Sequence, residues 1–159
     1  MLAKWNHESH KIIIVFESYH HYNTEKIARV IAQVLQAELF KPDQVNISNL
    51  SDFNIIGIGT GIYFGKPHEK IQQFLDQLPF LKNKRAFLFT TSGTLKDDYT
   101  QNIREQIEWK GLQLMDCFFC KGFDNYGPLK FFGGINKGHP DLKDLYKAEI
   151  FANNLKNRL

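Results

Sequence analysis

Between Glu17 and Ile27 the chain carries Ser18, Tyr19, His20, His21, Tyr22, Asn23 and Thr24, a run of hydroxyls, imidazoles and an amide between an apolar stretch and an amphipathic one. Side chains of these types can donate hydrogen bonds to anions. On the N-terminal side, Ile12 to Val15 is β-branched and uninterrupted, the pattern of a strand buried on both faces of a parallel sheet. On the C-terminal side, apolar residues fall at Ile27, Val30, Ile31, Val34 and Leu35, one face of a helix. Asn23 or Thr24 is suited to cap that helix, and Glu25 complements its dipole. A polar loop that leaves a buried strand and enters a helix gathers unpaired N–H groups around one point, so this stretch is predicted to bind a phosphate. Taken alone, Asn23 and Thr24 need be no more than a cap, and His20 and His21 no more than solvated loop residues.

Several further elements would position this turn. Leu39 to Ile47 is broken by Pro42 and predicts at most a short or edge strand. Phe53 to Thr60 is a second buried strand, succeeded by a glycine-punctuated loop of Gly61, Ile62, Tyr63, Phe64 and Gly65. Pro67 is expected to open a helix with Ile71, Phe74, Leu75 and Leu78 on its apolar face, ended by Pro79. Arg85 to Thr91 is a third strand with Ser92, Gly93 and Thr94 as its loop, and Asp97 to Lys110 a helix closed by Gly111. Leu112 to Cys120 is the last strand, and Asp141 to about Leu155 the last helix. Strands alternating with helices make an α/β fold with a parallel sheet covered on both faces, and ligands of such sheets sit at the C-terminal edge. The one long connection, Lys121 to Pro140, is rich in glycine and aromatics, and a loop of that length in a compact domain usually has a function.

Composition narrows the classes. A chain of 159 residues is expected to form a single domain, residues 1–159, with residues 1–10 as an N-terminal extension. A net charge of +3 without a long basic block gives no reason to expect nucleic acid as a partner. No apolar run approaches the ~20 residues of a membrane span, and the first ten residues lack the apolar segment of a secretory signal, so a cytoplasmic protein is expected. Cys117 and Cys120 have redox-pair spacing, yet an offset of three on a strand sends them to opposite faces, so they are expected to be structural thiols. His7 and His10 are too few for a metal site, and Ser92 lacks a partner set for a hydrolase triad.

The sheet geometry also sorts the aromatics. Trp5 and Trp109 are expected at the far edge, whereas Tyr19, Tyr22, Tyr63, Phe64, Tyr99, Phe123 and Tyr126 come after strand ends or begin a helix. A phosphate cradle beside several aromatic loops suits a ligand with a phosphate tail and a flat ring, as in flavin mononucleotide (FMN). For any one of these aromatics, packing in the core is about as frequent as stacking on a ligand.

Ser18 to Ala28, Gly59 to Gly65 and Thr91 to Thr94 together resemble the flavodoxin family over nearly the whole chain. With Cys120-Lys121-Gly122-Phe123-Asp124 and Gly133-Gly134-Ile135-Asn136-Lys137-Gly138, they resemble a flavodoxin-like subgroup found in many prokaryotic proteins. The resemblance implies a three-layer sandwich around a five-stranded parallel sheet of order 2-1-3-4-5, with FMN at its C-terminal edge. It implies that Ser18 to Thr24 hold the phosphate and that Thr60, Gly61, Ile62, Tyr63 and Phe64 flank the ring. Thr91, Ser92, Gly93, Thr94, Phe123 and Asp124 would then close the other side. It further implies an electron carrier working with a redox partner protein, a reductase or ferredoxin-type donor and an acceptor. The alternative is an FMN-dependent oxidoreductase acting on a small substrate such as a quinone or porphyrinogen, with the long loop as a roof. A phospho-acceptor receiver domain of the same fold would need an acid where Gly59, Thr60 and Gly61 stand.

Two departures from the family pattern stand out. The chain is slightly basic where flavodoxins are acidic, and Tyr22 stands where the family's phosphate loop has glycine. A tyrosine there must avoid positive φ or accept strain.

Overall fold

The computed structural model describes residues 9–94, 96 and 98–159, with Asp98 described by its backbone alone. Trp5, His7 and Asp97, and most of the N-terminal extension, lie outside the described residues. Five parallel strands form the sheet: β1 (Ile12–Glu17), β2 (Glu38–Phe40), β3 (Ile55–Tyr63), β5 (Arg85–Ser92) and β6 (Gln113–Lys121). A two-residue strand, β4 (Lys66–Pro67), pairs antiparallel with the end of β3. The order is β2-β1-β3-β5-β6, which is the expected 2-1-3-4-5 once the small β4 is set aside.

Among the described residues, four helices cover the sheet: α1 (Asn23–Leu35), α2 (Glu69–Gln77), α3 (Asp98–Trp109) and α4 (Leu142–Lys156). Successive strand residues point to opposite faces, so β1 divides its apolar run between two cores. Ile12, Ile14 and Phe16 pack with Ile27 and Ile31 of α1 and with Phe151 and Leu155 of α4. Ile13 and Val15 pack with Ile71 and Leu75 of α2 and with Ile103 and Ile107 of α3. The layers are therefore helix, sheet, helix, a flavodoxin-like α/β fold.

Local chemistry moves several boundaries from those the sequence predicts. β3 runs through Gly61 to Tyr63 and turns tightly at Phe64 (φ 50°) and Gly65 (φ 75°), so the expected five-residue loop is a hairpin. Positive φ at both central residues matches the twist of the flanking strands. Pro67 belongs to β4 and does not open a helix; His68 caps α2 instead, its Nδ1 accepting the Lys70 N–H at 3.1 Å. The edge strand is confined to Glu38–Phe40, and 3₁₀ turns at Pro42–Gln44 and Ile47–Asp52 lead into β3. Gly111, at φ 83°, ends α3 as its position predicts, and Asp141 caps α4 through the Asp144 N–H. Trp109 is 85% exposed at the end of α3, away from the C-terminal sheet edge.

Cys117 and Cys120 fall on opposite faces, each against a different core. Burial pushes both thiols up, that of Cys120 to about 12, which leaves them protonated and inert.

Candidate functional site

The C-terminal edge of the sheet brings the ends of β1, β3, β5 and β6 around one cleft. The turn after β1 is anchored from inside. Glu17 is buried and held by Lys41 Nζ at 3.0 Å and Lys70 Nζ at 3.7 Å. Burial alone would raise its carboxyl; the Lys41 hydrogen bond, the Ser18 N–H and the Lys41 charge outweigh that and hold it below the usual value. Ser18 faces the same interior network, its Oγ accepting the Glu25 N–H at 3.3 Å.

His21 and Tyr22 both take the left-handed conformation, with φ of 53° and 55°. Tyr22 is the N-cap of α1 and offers no side-chain hydrogen bond to it. Asn23 and Thr24, expected as caps, are instead the first helical residues and turn inward. Thr24 Oγ1 lies 2.8 Å from Thr91 Oγ1, tying α1 to β5. Asn23 Nδ2 donates to the Phe123 carbonyl at 2.9 Å, while its Oδ1 is buried without a partner. Among the described residues, the N–H groups of His21, Tyr22 and Thr24 also have no acceptor. These are the unpaired donors of a helix N-terminus, drawn together where an anion is favoured.

Tyr22 therefore accepts the strain that its sequence position implies. A left-handed L-residue costs about 1–2 kcal/mol, and glycine's extra freedom in the unfolded chain costs about 0.5–1. The Tyr22 side chain is 65% exposed, so its removal loses little packing. Tyr22→Gly is expected to raise stability by roughly 0.5 kcal/mol, read as a higher urea midpoint, whereas Tyr22→Ala keeps the Cβ and gains nothing. A lower midpoint for Tyr22→Gly contradicts the assignment of strain.

The cleft walls come from the other strand ends. Tyr63 folds back over Gly61, where a Cβ would stand 2.5 Å from its hydroxyl oxygen, and it accepts the Tyr19 N–H at 3.4 Å. Burial pushes the Tyr63 phenol up, against the pull of the Tyr19 and His20 N–H groups, so it remains protonated. His20 packs against Tyr19, Tyr63 and Tyr126 with ring centroids 4.7, 5.6 and 5.2 Å away. Burial and then the neighbouring His21 push its imidazole below the ordinary value, with Asp124 opposing, so it is neutral at pH 7. On the far wall, a Cβ at Gly93 would meet the Asp124 carboxylate at 2.8 Å, and one at Gly122 would meet Asn23 Nδ2 at 2.6 Å.

Of the residues singled out from sequence, the cleft brings together His20 and Asn23, the β3 residues Gly61, Ile62 and Tyr63, and the far-wall residues Thr91, Ser92, Gly93, Phe123 and Asp124. Others lie outside it. Thr60 turns away, its Oγ1 accepting the His68 N–H at 3.0 Å and donating to the Gly61 carbonyl. Thr94 is exposed, and its carbonyl accepts the Ser92 hydroxyl. His21 packs at a tilt against Phe123, ring centroids 4.4 Å apart, and meets Asn125 Oδ1 at 2.9 Å. Tyr19 and Phe64 line an adjoining open groove with Tyr126 and His68. Tyr99 instead packs on Gly65 and lines a separate hollow with Thr90 and Phe119.

Gly122 stands in the sequence motif without being assigned to the site, and Asn125 and His68 are residues that sequence reasoning misses. Gly122 is findable as the glycine beside Phe123 in a strand-end motif; His68 and Asn125 carry no local signal, because their roles depend on contacts far along the chain.

Comparison with known proteins agrees with this geometry. The flavodoxin domain family matches residues 13–132. A protein of Methanocaldococcus jannaschii described as uncharacterized is 43% identical over 147 residues, covering 91% of this chain and 97% of that one. Among solved structures, oxidised Flavodoxin 2 from Bacillus cereus superposes with a TM-score of 0.73 at 18% identity, covering 94% of this chain and 99% of that one. A flavodoxin from the domain Archaea gives 0.70 at 17% identity, covering 93% and 97%. No helix among the described residues is long and apolar enough to cross a membrane. By its matched domain, its strand order and the strand-end cleft, the chain belongs to the flavodoxin family.

Proposed function

We propose that the chain is an FMN-binding electron carrier of the cytoplasm, exchanging electrons with a redox partner protein. The observation that carries this reading is the N-terminal turn of α1: it holds the orphaned, buried Asn23 Oδ1 and, among the described residues, three N–H groups without acceptors. A phosphate tail fits that turn, since its oxygens accept from the free N–H groups and the helix dipole favours their charge. The orphaned amide oxygen suits a hydroxyl of the ribityl chain. Gly61, Gly93 and Gly122 leave the walls without side chains of their own, and neutral His20 and protonated Tyr63 give aromatic surface to a flat ring. FMN, when bound, supplies the acceptance and release of electrons, while the protein holds the ring, excludes water and sets its potential.

The second reading, an oxidoreductase turning over a small substrate such as a quinone, is favoured by the open aromatic groove of Tyr19, Phe64, His68 and Tyr126 beside the cleft. One experiment tests both. The purified protein, titrated with FMN and monitored by visible absorbance, is expected to acquire a bound-flavin spectrum with one flavin per chain. A protein that never acquires it refutes both readings. Rapid quinone turnover with NAD(P)H by the loaded protein favours the second.

A further inference from the structure

The loop from β6 to α4 is tied at its neck and bare at its tip. Gly122 N–H donates to the Ser92 carbonyl at 2.9 Å, and Asp124 and Ile135 exchange N–H···O bonds of 3.0 and 2.7 Å. Asn136 Nδ2 donates to the Gly93 carbonyl at 2.6 Å, fixing the returning limb against the cleft wall. Between these ties a 3₁₀ turn, Gly127–Phe132, presents Phe131 and Phe132, which are 79% and 84% exposed. Adjacent phenylalanines held in water by a pinned loop forgo the burial that drives folding, and such a patch marks an interaction surface.

The exposed charges of this loop are of one sign. Lys121, Lys130 and Lys137 are all exposed, and among the described residues none has an ion-pair partner. Lys130 Nζ stands 5.2 Å from the Phe131 ring centroid. The loop's acid, Asp124, is half-buried, and its Oδ1 accepts the Tyr126 N–H at 2.9 Å. We propose that this loop is the docking surface for an acidic electron-transfer protein, with Phe131 and Phe132 as the apolar centre and the three lysines as the charged ring.

The proposal rests on the FMN reading, because its neck residues Phe123 and Asp124 form a wall of the cleft. A partner seated on the tip therefore stands beside the bound ring. A second copy of this chain does not fit the patch, since it would bring the same lysines face to face. Unlike charges steer the encounter and set its salt dependence, while the apolar centre sets residence time.

The test is calorimetric titration of the FMN-saturated protein with an acidic ferredoxin, at low and at physiological salt. Binding is expected at low salt and to weaken as salt screens it. Lys130→Glu with Lys137→Glu is expected to weaken it at least about tenfold. Lys82→Glu with Lys156→Glu, the same charge change at the opposite sheet edge, is expected to leave it unchanged. Phe131→Ser is expected to weaken it at both salt concentrations without altering the salt slope. Equal loss from both lysine pairs, or tighter binding of basic cytochrome c than of ferredoxin, overturns the proposal. So does a loop-pair effect seen with a DNA duplex but not with ferredoxin. The two readings fail separately. Absence of a bound-flavin spectrum refutes the carrier, whereas a flavin-loaded protein whose ferredoxin binding ignores the loop lysines refutes the docking surface alone.

Discussion

Asn23→Asp, a change of one amide nitrogen to oxygen, is expected to reduce FMN affinity by about 100-fold and to cost about 3 kcal/mol of stability at neutral pH. Asn23 is buried, and its Nδ2 donates to the Phe123 carbonyl at 2.9 Å. An aspartate oxygen there would face that carbonyl with no proton between them, in a site where Oδ1 already lacks a partner. The substitution preserves shape, so the loss is electrostatic. Its sign with pH is fixed by the same contacts. Burial and the facing carbonyl raise the variant carboxyl in the folded state above the ordinary ~3.9. Its deficit relative to the parent should therefore vanish below that ordinary value and grow as pH rises through the raised folded one. Urea denaturation at acid and neutral pH reads this, and a deficit independent of pH would contradict it. FMN titration reads the other half: a phosphate at the α1 N-terminus meets the new negative charge directly. Unchanged FMN affinity at neutral pH would place the phosphate elsewhere.

That prediction depends on a feature only half legible in the sequence. The β-branched run of Ile12 to Val15, the helical spacing from Ile27 and the alternation of strands and helices are local, and each produces the element it predicts. Asn23 is equally visible, but as a cap. Whether an asparagine caps its own helix or reaches across to Phe123, a hundred residues away, depends on where β6 ends, and no local pattern carries that. The same holds for His68. Its place after Pro67 predicts the first turn of a helix, whereas the hairpin at Phe64 and Gly65 uses up the proline and leaves the histidine to cap α2. Tyr22 is the opposite case. Its conflict with the family's glycine is plain from position, and the backbone resolves it as strain, because closing the turn onto α1 requires a left-handed residue there.

The glycines of β3 are legible as composition but not as packing, and they support the second large effect. Gly59 pairs in register with Phe16 on one side and Phe89 on the other, and Gly57 likewise with Ile14 and Phe87. A Cβ at Gly59 would lie 2.2 Å from the tip of the Phe89 ring, and one at Gly57 would lie 2.3 Å from that of Phe87. Both rings are fully buried beneath α1 and α4, so neither can swing into solvent. The central strand is thinned to glycine so that phenylalanines from its neighbour can lie across it. Gly59→Ala is accordingly expected to destabilise the protein by about 3 kcal/mol through overpacking, despite alanine's better backbone entropy of about 0.5–1 kcal/mol. Phe89→Leu alone should cost about 1–2 kcal/mol as a cavity. Combined, the two should be less destabilising than their sum by at least about 1 kcal/mol, because the shorter side chain vacates the space the methyl needs. Urea denaturation of the four-protein cycle measures this coupling, and strict additivity would show that Gly59 serves something other than the Phe89 ring. The effect should also reach the site. Gly61 to Tyr63 continue the same strand into the cleft. A shift of β3 away from β5 would move Gly61 relative to Gly93, so Gly59→Ala should weaken FMN binding, and Phe89→Leu should restore part of it.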